Sequence, residues 1–173
     1  MFRLFRSSDY FNDPLLKKYI VQFYSKAKAF KQLILFLIGW ANLETSEGEY
    51  DNAVKVLNEA RRYGEKISYD ETEVLGRIKE IEAFLQAQSF SNSNIAESRK
   101  ICTALLDGDT WGSVHPGDCY ALLVQLAPDS KHAFELIEAM IERNISPTEY
   151  IEAESIKQIY SSVGGVWKEI QDD

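Results

Sequence analysis

At 173 residues the chain suits one domain or a short array of stacked helical hairpins, and 45% apolar residues are enough to build a core. Lys and Arg number 19 against 27 Asp and Glu, a net charge of −8. That balance argues against a nucleic-acid groove, whose affinity comes largely from neutralising phosphates.

Residues 1–12, MFRLFRSSDYFN, read as a truncated lead-in to a longer protein, with Met1, Phe2 and Phe5 as apolar side chains at an open end. Arg3 and Arg6 interrupt the stretch, so it lacks the apolar run of a signal peptide. Asp13-Pro14 then caps and opens a first helix to about Lys26, presenting Leu16, Ile20, Phe23 and Tyr24.

The stretch 30–60, FKQLILFLIGWANLETSEGEYDNAVKVLNEA, carries the clearest pattern. It reads as an almost wholly apolar helix, a short polar turn and an amphipathic helix. Gly48 ends the first helix or shapes the turn, and Tyr50 can plug the bottom of the hairpin. Ala53, Leu57 and Ala60 share one face, and Ala41 is the small residue placed to meet Ala53. This is the punctuation of a tetratricopeptide-type hairpin, whose apolar face needs a neighbour to cover it. Its most apolar run, residues 33–43, falls well short of the roughly 20 residues that span a bilayer, so no membrane insertion is expected. Arg61, Arg62 and Lys66 make a small basic cluster on the back of the third helix, either a solvated face or a contact for an acidic partner.

A fourth helix opens at Tyr69-Asp70-Glu71, with Asp70 as cap, Glu73 as its capping-box partner, and a face of Val74, Ile78, Ile81 and Leu85. The polar loop 89–94, SFSNSN, leads to a fifth helix ending near Leu106 and expected to bury Ile95, Cys102 and Leu105. Residues 107–117, DGDTWGSVHPG, are the least regular stretch and hold Trp111. A short sixth helix stops at Pro128. Asp129 or Ser130 caps the seventh, with a face of Ala133, Phe134, Ile137, Met140 and Ile141. Ser146 and Pro147 start an eighth that shows Ile151, Ser155, Ile156, Ile159, Tyr160 and Val163 and stops at Gly164-Gly165. Trp167 lies beyond it in a short acidic tail. Trp111 and Trp167 stand outside any helical period, so each either anchors an interface or folds back on its own domain.

No segment alternates with period two. The fold class is therefore all-α: antiparallel helices, about eight of them, stacked as a right-handed solenoid of tetratricopeptide-like hairpins. The expected division is 1–12 lead-in, 13–164 solenoid and 165–173 tail.

Chemistry is absent from the pattern. Cys102 and Cys119 have neither metal spacing nor a disulfide framework and read as buried thiols of a reducing compartment. His115 before Pro116 reads as a loop residue and His132 as part of a solvated first turn; neither has ligand spacing. Paired carboxylates such as Glu71/Glu73 and Glu152/Glu154 sit at helix starts, where the helix dipole favours negative charge. No glycine-rich phosphate loop is present. An enzyme is not expected, nor a cofactor, metal or small-molecule substrate. Residues 133–165 resemble a single pentatricopeptide unit, but one unit in an acidic chain makes a weak RNA reader. Asn42, two residues past Trp40, falls where some tetratricopeptide domains hold a peptide carboxylate, yet the basic companions of such a clamp are missing from the pattern. A generic tetratricopeptide adaptor with a peptide in its groove stays open as the alternative.

YIVQFYSKAKAF (19–30), EYDNAVKVLNEARRY (49–63), IEAFLQAQ (81–88), GDCYALLVQL (117–126) and AFELIEAM (133–140) together identify a resemblance. In order and spacing they are similar to the C-terminal tetratricopeptide region of the intraflagellar transport protein 140 family, over about residues 7–164. The resemblance implies a scaffold subunit of intraflagellar transport complex A, in which β-propellers precede a long helical solenoid. It implies other complex A subunits as partners, a place in the cilium or flagellum and at the basal body on the cytoplasmic side, and roles in retrograde transport and in ciliary entry of membrane proteins. The short link at 128–131 and the brief acidic tail depart from the family pattern.

Overall fold

A computed structural model describes residues 13–168, so Met1, Phe2 and Phe5 lie outside the described residues. Among the described residues there are eight α-helices, one short 3-10 helix and no strand. The helices are α1 Pro14–Lys26, α2 Phe30–Ser46, α3 Tyr50–Gly64, α4 Thr72–Phe90, α5 Ile95–Asp107, α6 Pro116–Gln125, α7 Ser130–Glu142 and α8 Ala153–Ser162; the 3-10 helix is η1 Pro147–Glu149. The chain divides into two compact units, Met1–Leu75 and Gly76–Asp173.

In the first unit, α2 and α3 form a hairpin whose link is only residues 47–49. Gly48 has φ +77°, its N–H bonds the carbonyl of Thr45 at 3.1 Å, and the N–H of Glu49 bonds that of Glu44 at 2.8 Å. These two bonds satisfy carbonyls that the helix end leaves open. Tyr50, Ala53, Leu57 and Ala60 are buried, as is Ala41, so the small residues sit at the helix–helix seam. Leu33, Ile34 and Leu37 complete a core with no measurable exposure. Helix α2 buries residues on several sides, which is why its apolar run is nearly continuous.

The same terminating device recurs without a glycine at the end of α1. Lys28 takes φ +54°, and the N–H groups of Lys28 and Ala29 bond the carbonyls of Ser25 and Tyr24 at 3.1 and 2.9 Å. A left-handed conformation costs a residue with a Cβ roughly 1–2 kcal/mol, against about 0.5–1 kcal/mol of extra chain entropy for glycine. Lys28→Gly is therefore expected to stabilise the first unit by about 0.5 kcal/mol. Thermal unfolding of the variant checks this; a lower midpoint would mean the lysine holds the turn by another route.

In the second unit, α5 packs on α6, α6 on α7 and α7 on α8. Ser98 at the start of α5 is fully buried and its hydroxyl donates to the carbonyl of Ala87 in α4 at 2.7 Å. Arg99 donates to the carbonyl of Leu126 and so caps the end of α6. Asp129 accepts from the N–H of His132 at 2.9 Å, capping α7. Ile137, Ile156 and Tyr160 form the centre of the α7–α8 core, with Phe134, Ile141, Ile151 and Ile159 packed around it. The Tyr160 hydroxyl donates to Glu138, and burial with that carboxylate holds its pKa well above the usual phenol range.

Three sequence expectations need correction. On α4 the buried residues are Val74, Ile78, Ile81, Phe84 and Ala87, with Leu85 only half-buried. Residues 83–85 are all apolar, so the period fits either phase, and packing selected Phe84. Ile95 at the start of α5 is 46% exposed; its place in the core is taken by Ser98 through the bond to Ala87. The expected eighth helix is two pieces, η1 and α8, separated at residues 150–152. There the Tyr150 ring is held against Gly117 of α6, where a Cβ would lie 2.4 Å from it.

Candidate interaction surfaces

Helix α1 has no fully buried residue. Leu16, Ile20 and Tyr24 are half-buried, and the Tyr24 ring meets Phe36 of α2 at 6.5 Å between centroids. Lys17 ties α1 to Glu59 of α3 at 3.2 Å. Next to that row stand Leu15, Tyr19 and Phe23 at steps of four, exposed by 52, 59 and 68%. By its spacing Phe23 belongs with Leu16, Ile20 and Tyr24, but in the structure it faces solvent. Two adjacent apolar rows on one helix look alike by period, and the tilt of α1 on α2 decides which is covered. A surviving apolar row of this kind is a typical docking surface.

The basic cluster is partly engaged within its own unit. Arg61 Nε donates to Glu71 at 3.2 Å, and the Lys66 ammonium lies 5.3 Å from the Phe30 ring centre and 5.5 Å from that of Tyr63. The two rings stack at 6.0 Å. Arg62 is exposed. An exposed pair such as Arg61–Glu71 contributes little stability, about 0–1 kcal/mol.

Trp111 is 46% exposed, yet its indole rests on the backbone of α4 at Gly76. The loop around it is tied down by two α4 side chains one turn apart. Arg77 donates to the carbonyl of Trp111 at 3.1 Å and to the Ser113 hydroxyl at 3.2 Å. Glu80 accepts from the N–H groups of Trp111 and Ser113, the latter at 3.1 Å. Trp167 meets Tyr160 edge to face at 5.0 Å and packs against the α7–α8 core. Its Nε1 is buried without a hydrogen-bond partner among the described residues.

A trough of about 470 Å³ opens in the second unit, bordered by α4, α6 and the segment from η1 into α8. Phe84, Leu122, Ile151 and Ile159 are among its apolar lining residues. Gln88, Gln125, Asp118 and Glu152 stand along it, and none of its lining residues is basic. Its residues run from position 84 to position 159, so no local motif announces it. The α1 row, by contrast, is visible in sequence as an apolar residue every fourth position.

Cys102 and Cys119 are free, buried and hydrogen-bonded to each other across α5 and α6. The hydrogen bond with Cys102, and then burial, push the Cys119 thiol far above its usual pKa, so it stays protonated. His115 precedes α6, and His132 lies exposed in the first turn of α7, 2.7 Å from Asp129. Asn42 is exposed on α2. Among the described residues no His, Cys, Asp and Glu converge as a metal site. No helix among them is long and apolar enough to cross a membrane.

None of the curated proteins compared with the chain matches it. Residues 31–142 match the family described as the C-terminal TPR (tetratricopeptide) domain of intraflagellar transport protein 140. The matched span is more than half of the chain and runs from the start of α2 to the end of α7. Tetratricopeptide folds are protein-interaction folds, and the surfaces above are of that kind: apolar rows and a trough without converging reactive groups among the described residues. The chain therefore belongs to this family, the C-terminal tetratricopeptide scaffold domain of an intraflagellar transport protein.

Proposed function

We propose that this domain works, without catalysis, as part of intraflagellar transport complex A, joining other complex A subunits during retrograde transport and during ciliary entry of membrane proteins. It acts on the cytoplasmic side of the cilium or flagellum and at the basal body, with residues 13–164 as the scaffold portion. The observation that carries the reading is the solvent-facing row Leu15, Tyr19 and Phe23, placed on a helix with no fully buried residue of its own. A solenoid unit buries its apolar faces against neighbours, and a row left bare within a folded chain is a surface for a folded partner.

The test is capture of subunits from the lysate of a ciliated cell with the tagged chain, read by mass spectrometry. The wild-type chain should recover complex A subunits. Tyr19→Asp with Phe23→Asp should reduce their yield about tenfold, since two apolar anchors are replaced by charges that resist burial. Helical circular dichroism should be retained, because both side chains are exposed. Recovery of unrelated proteins with short tails and no transport subunit would favour the peptide adaptor. Retained yield with the double variant would move the interface elsewhere, to the Arg62 or Trp111 surface.

A further inference from the structure

We infer that the exposed face of α1 takes an acidic amphipathic helix of a partner protein, its apolar stripe laid along Leu15, Tyr19 and Phe23 and its carboxylates reaching Lys18 and Lys26. The inference rests on that row being the scaffold's docking surface, and it adds the chemistry of the partner.

Charge sets the sign of that partner. Residues 14–31 hold five lysines, Lys17, Lys18, Lys26, Lys28 and Lys31, and no Asp or Glu. Taking those five charges from the net −8 leaves −13 on the rest of the chain, so positive charge gathers where the apolar row is bare. Lys17 is engaged within the fold, paired with Glu59 at 3.2 Å. Lys18, Lys26, Lys28 and Lys31 are exposed, and among the described residues none of their ammonium groups has a carboxylate partner. Asp13, next to α1 in sequence, accepts from the N–H of Leu15 at 2.9 Å as the N-cap, at the opposite end of the helix from Lys26. At physiological salt, charges beyond about 8 Å are screened, so these lysines rather than the net charge of the chain set the local field.

Helix periodicity puts two of these ammonium groups beside the row. Lys18 stands three positions after Leu15, and Lys26 three after Phe23 and four after Gln22. Residues so spaced on a helix have Cβ atoms about 5–6 Å apart. Leu15, Lys18, Tyr19, Gln22, Phe23 and Lys26 are all exposed and so form one face. Lys18 and Lys26 lie eight positions apart, about 12 Å along the axis, which matches two carboxylates two turns apart on a partner helix. Anchors at steps of four suit the apolar stripe of a docked helix. A second copy of α1 would bring the same lysines and be repelled, and residues 1–12 carry Arg3 and Arg6 against Asp9. An interfacial membrane helix buries a broad apolar face. Here Leu16, Ile20 and Tyr24 are half-buried in the fold, and the row left over is interrupted by Gln22 and Lys26. That favours a protein helix of matching charge over a bilayer.

The experiment is selection of phage-displayed random peptides about 16 residues long, a little over four helical turns, on the full chain. Fluorescence anisotropy of the enriched peptides follows. Enrichment of Asp or Glu beside Leu, Ile or Phe at helical spacing is expected. Lys18→Glu plus Lys26→Glu should weaken binding about tenfold or more, and replacing the peptide's acids by lysine should restore most of it on that variant. Restoration also shows that the variant is folded. Lys79→Glu plus Lys131→Glu, at exposed positions of α4 and α7, changes the net charge equally and should alter the affinity less than about threefold. Enrichment of basic or uncharged peptides, equal loss in both double variants, or loss without restoration would overturn the inference. So would no enrichment, the result expected if residues 1–12 occupy the row. Binding to vesicles of phosphatidylcholine and phosphatidylserine, or self-association, abolished by Lys18→Glu plus Lys26→Glu would overturn it too. The same variant is run in the lysate capture above. Subunits kept by it but lost with Tyr19→Asp and Phe23→Asp would sink the acidic partner and leave the scaffold reading standing. Acidic peptides selected while the wild-type chain recovers no transport subunit would uphold the surface and sink the scaffold reading instead.

Discussion

Ile137→Ala should destabilise the second unit by about 2–5 kcal/mol, the largest effect expected of any single truncation considered for this chain. Ile137 has no exposed surface and sits at the centre of the α7–α8 core with Ile156 and Tyr160. Deleting three of its carbons removes their transfer energy and leaves a space that neighbours fill poorly. Phe134 and Tyr160, in edge contact at 4.9 Å, and Trp167, held on Tyr160, already have fixed ring geometries. Ile137→Val deletes one methyl group and should lose only about 0.5–1.5 kcal/mol. Urea unfolding followed by circular dichroism and tryptophan emission measures both. A loss below about 1 kcal/mol for the alanine variant would mean that the core closes around the space, contrary to the close packing expected of an interior.

Gly117→Ala should also destabilise, although helix propensity predicts the opposite. Alanine is better than glycine inside a helix by about 1 kcal/mol, and less near the helix start. The added methyl group, however, would lie 2.4 Å from the Tyr150 ring, closer than side-chain carbons approach. Overpacking of this type costs about 1–3 kcal/mol, so the clash wins by about 1–2 kcal/mol. A double-mutant cycle with Tyr150→Ala separates the two effects. Without the ring, Gly117→Ala should become neutral or stabilising. If the single variant is as stable as the wild type, Tyr150 moves aside freely and does not hold the break between η1 and α8.

The elements themselves were legible because their signals are local. Asp13-Pro14 opens α1, Gly48 and Gly164 take positive φ at the ends of α2 and α8, and Asp129 caps α7. Each is a contact between residues within five positions of one another, and Ala53, Leu57 and Ala60 mark their shared face by spacing alone. The left-handed Lys28 was not legible, since the helix end is imposed by the fold and lysine has no preference that signals it.

The sequence by itself therefore determined the first seven helices, their order, the hairpin seam of α2 and α3, and the family. Tertiary structure decided whatever depends on residues far apart in the chain. It chose Phe84 over Leu85 for the core, turned Leu15, Tyr19 and Phe23 outward, and divided the expected eighth helix by lodging Tyr150 on Gly117. It bound the irregular loop through Arg77 and Glu80, more than thirty positions away, and joined positions 84 to 159 into one trough. The physical reason is that periodicity reports which side chains share a helix face, while the partner of that face is set by packing between helices. Interaction surfaces are made of the faces that packing leaves over.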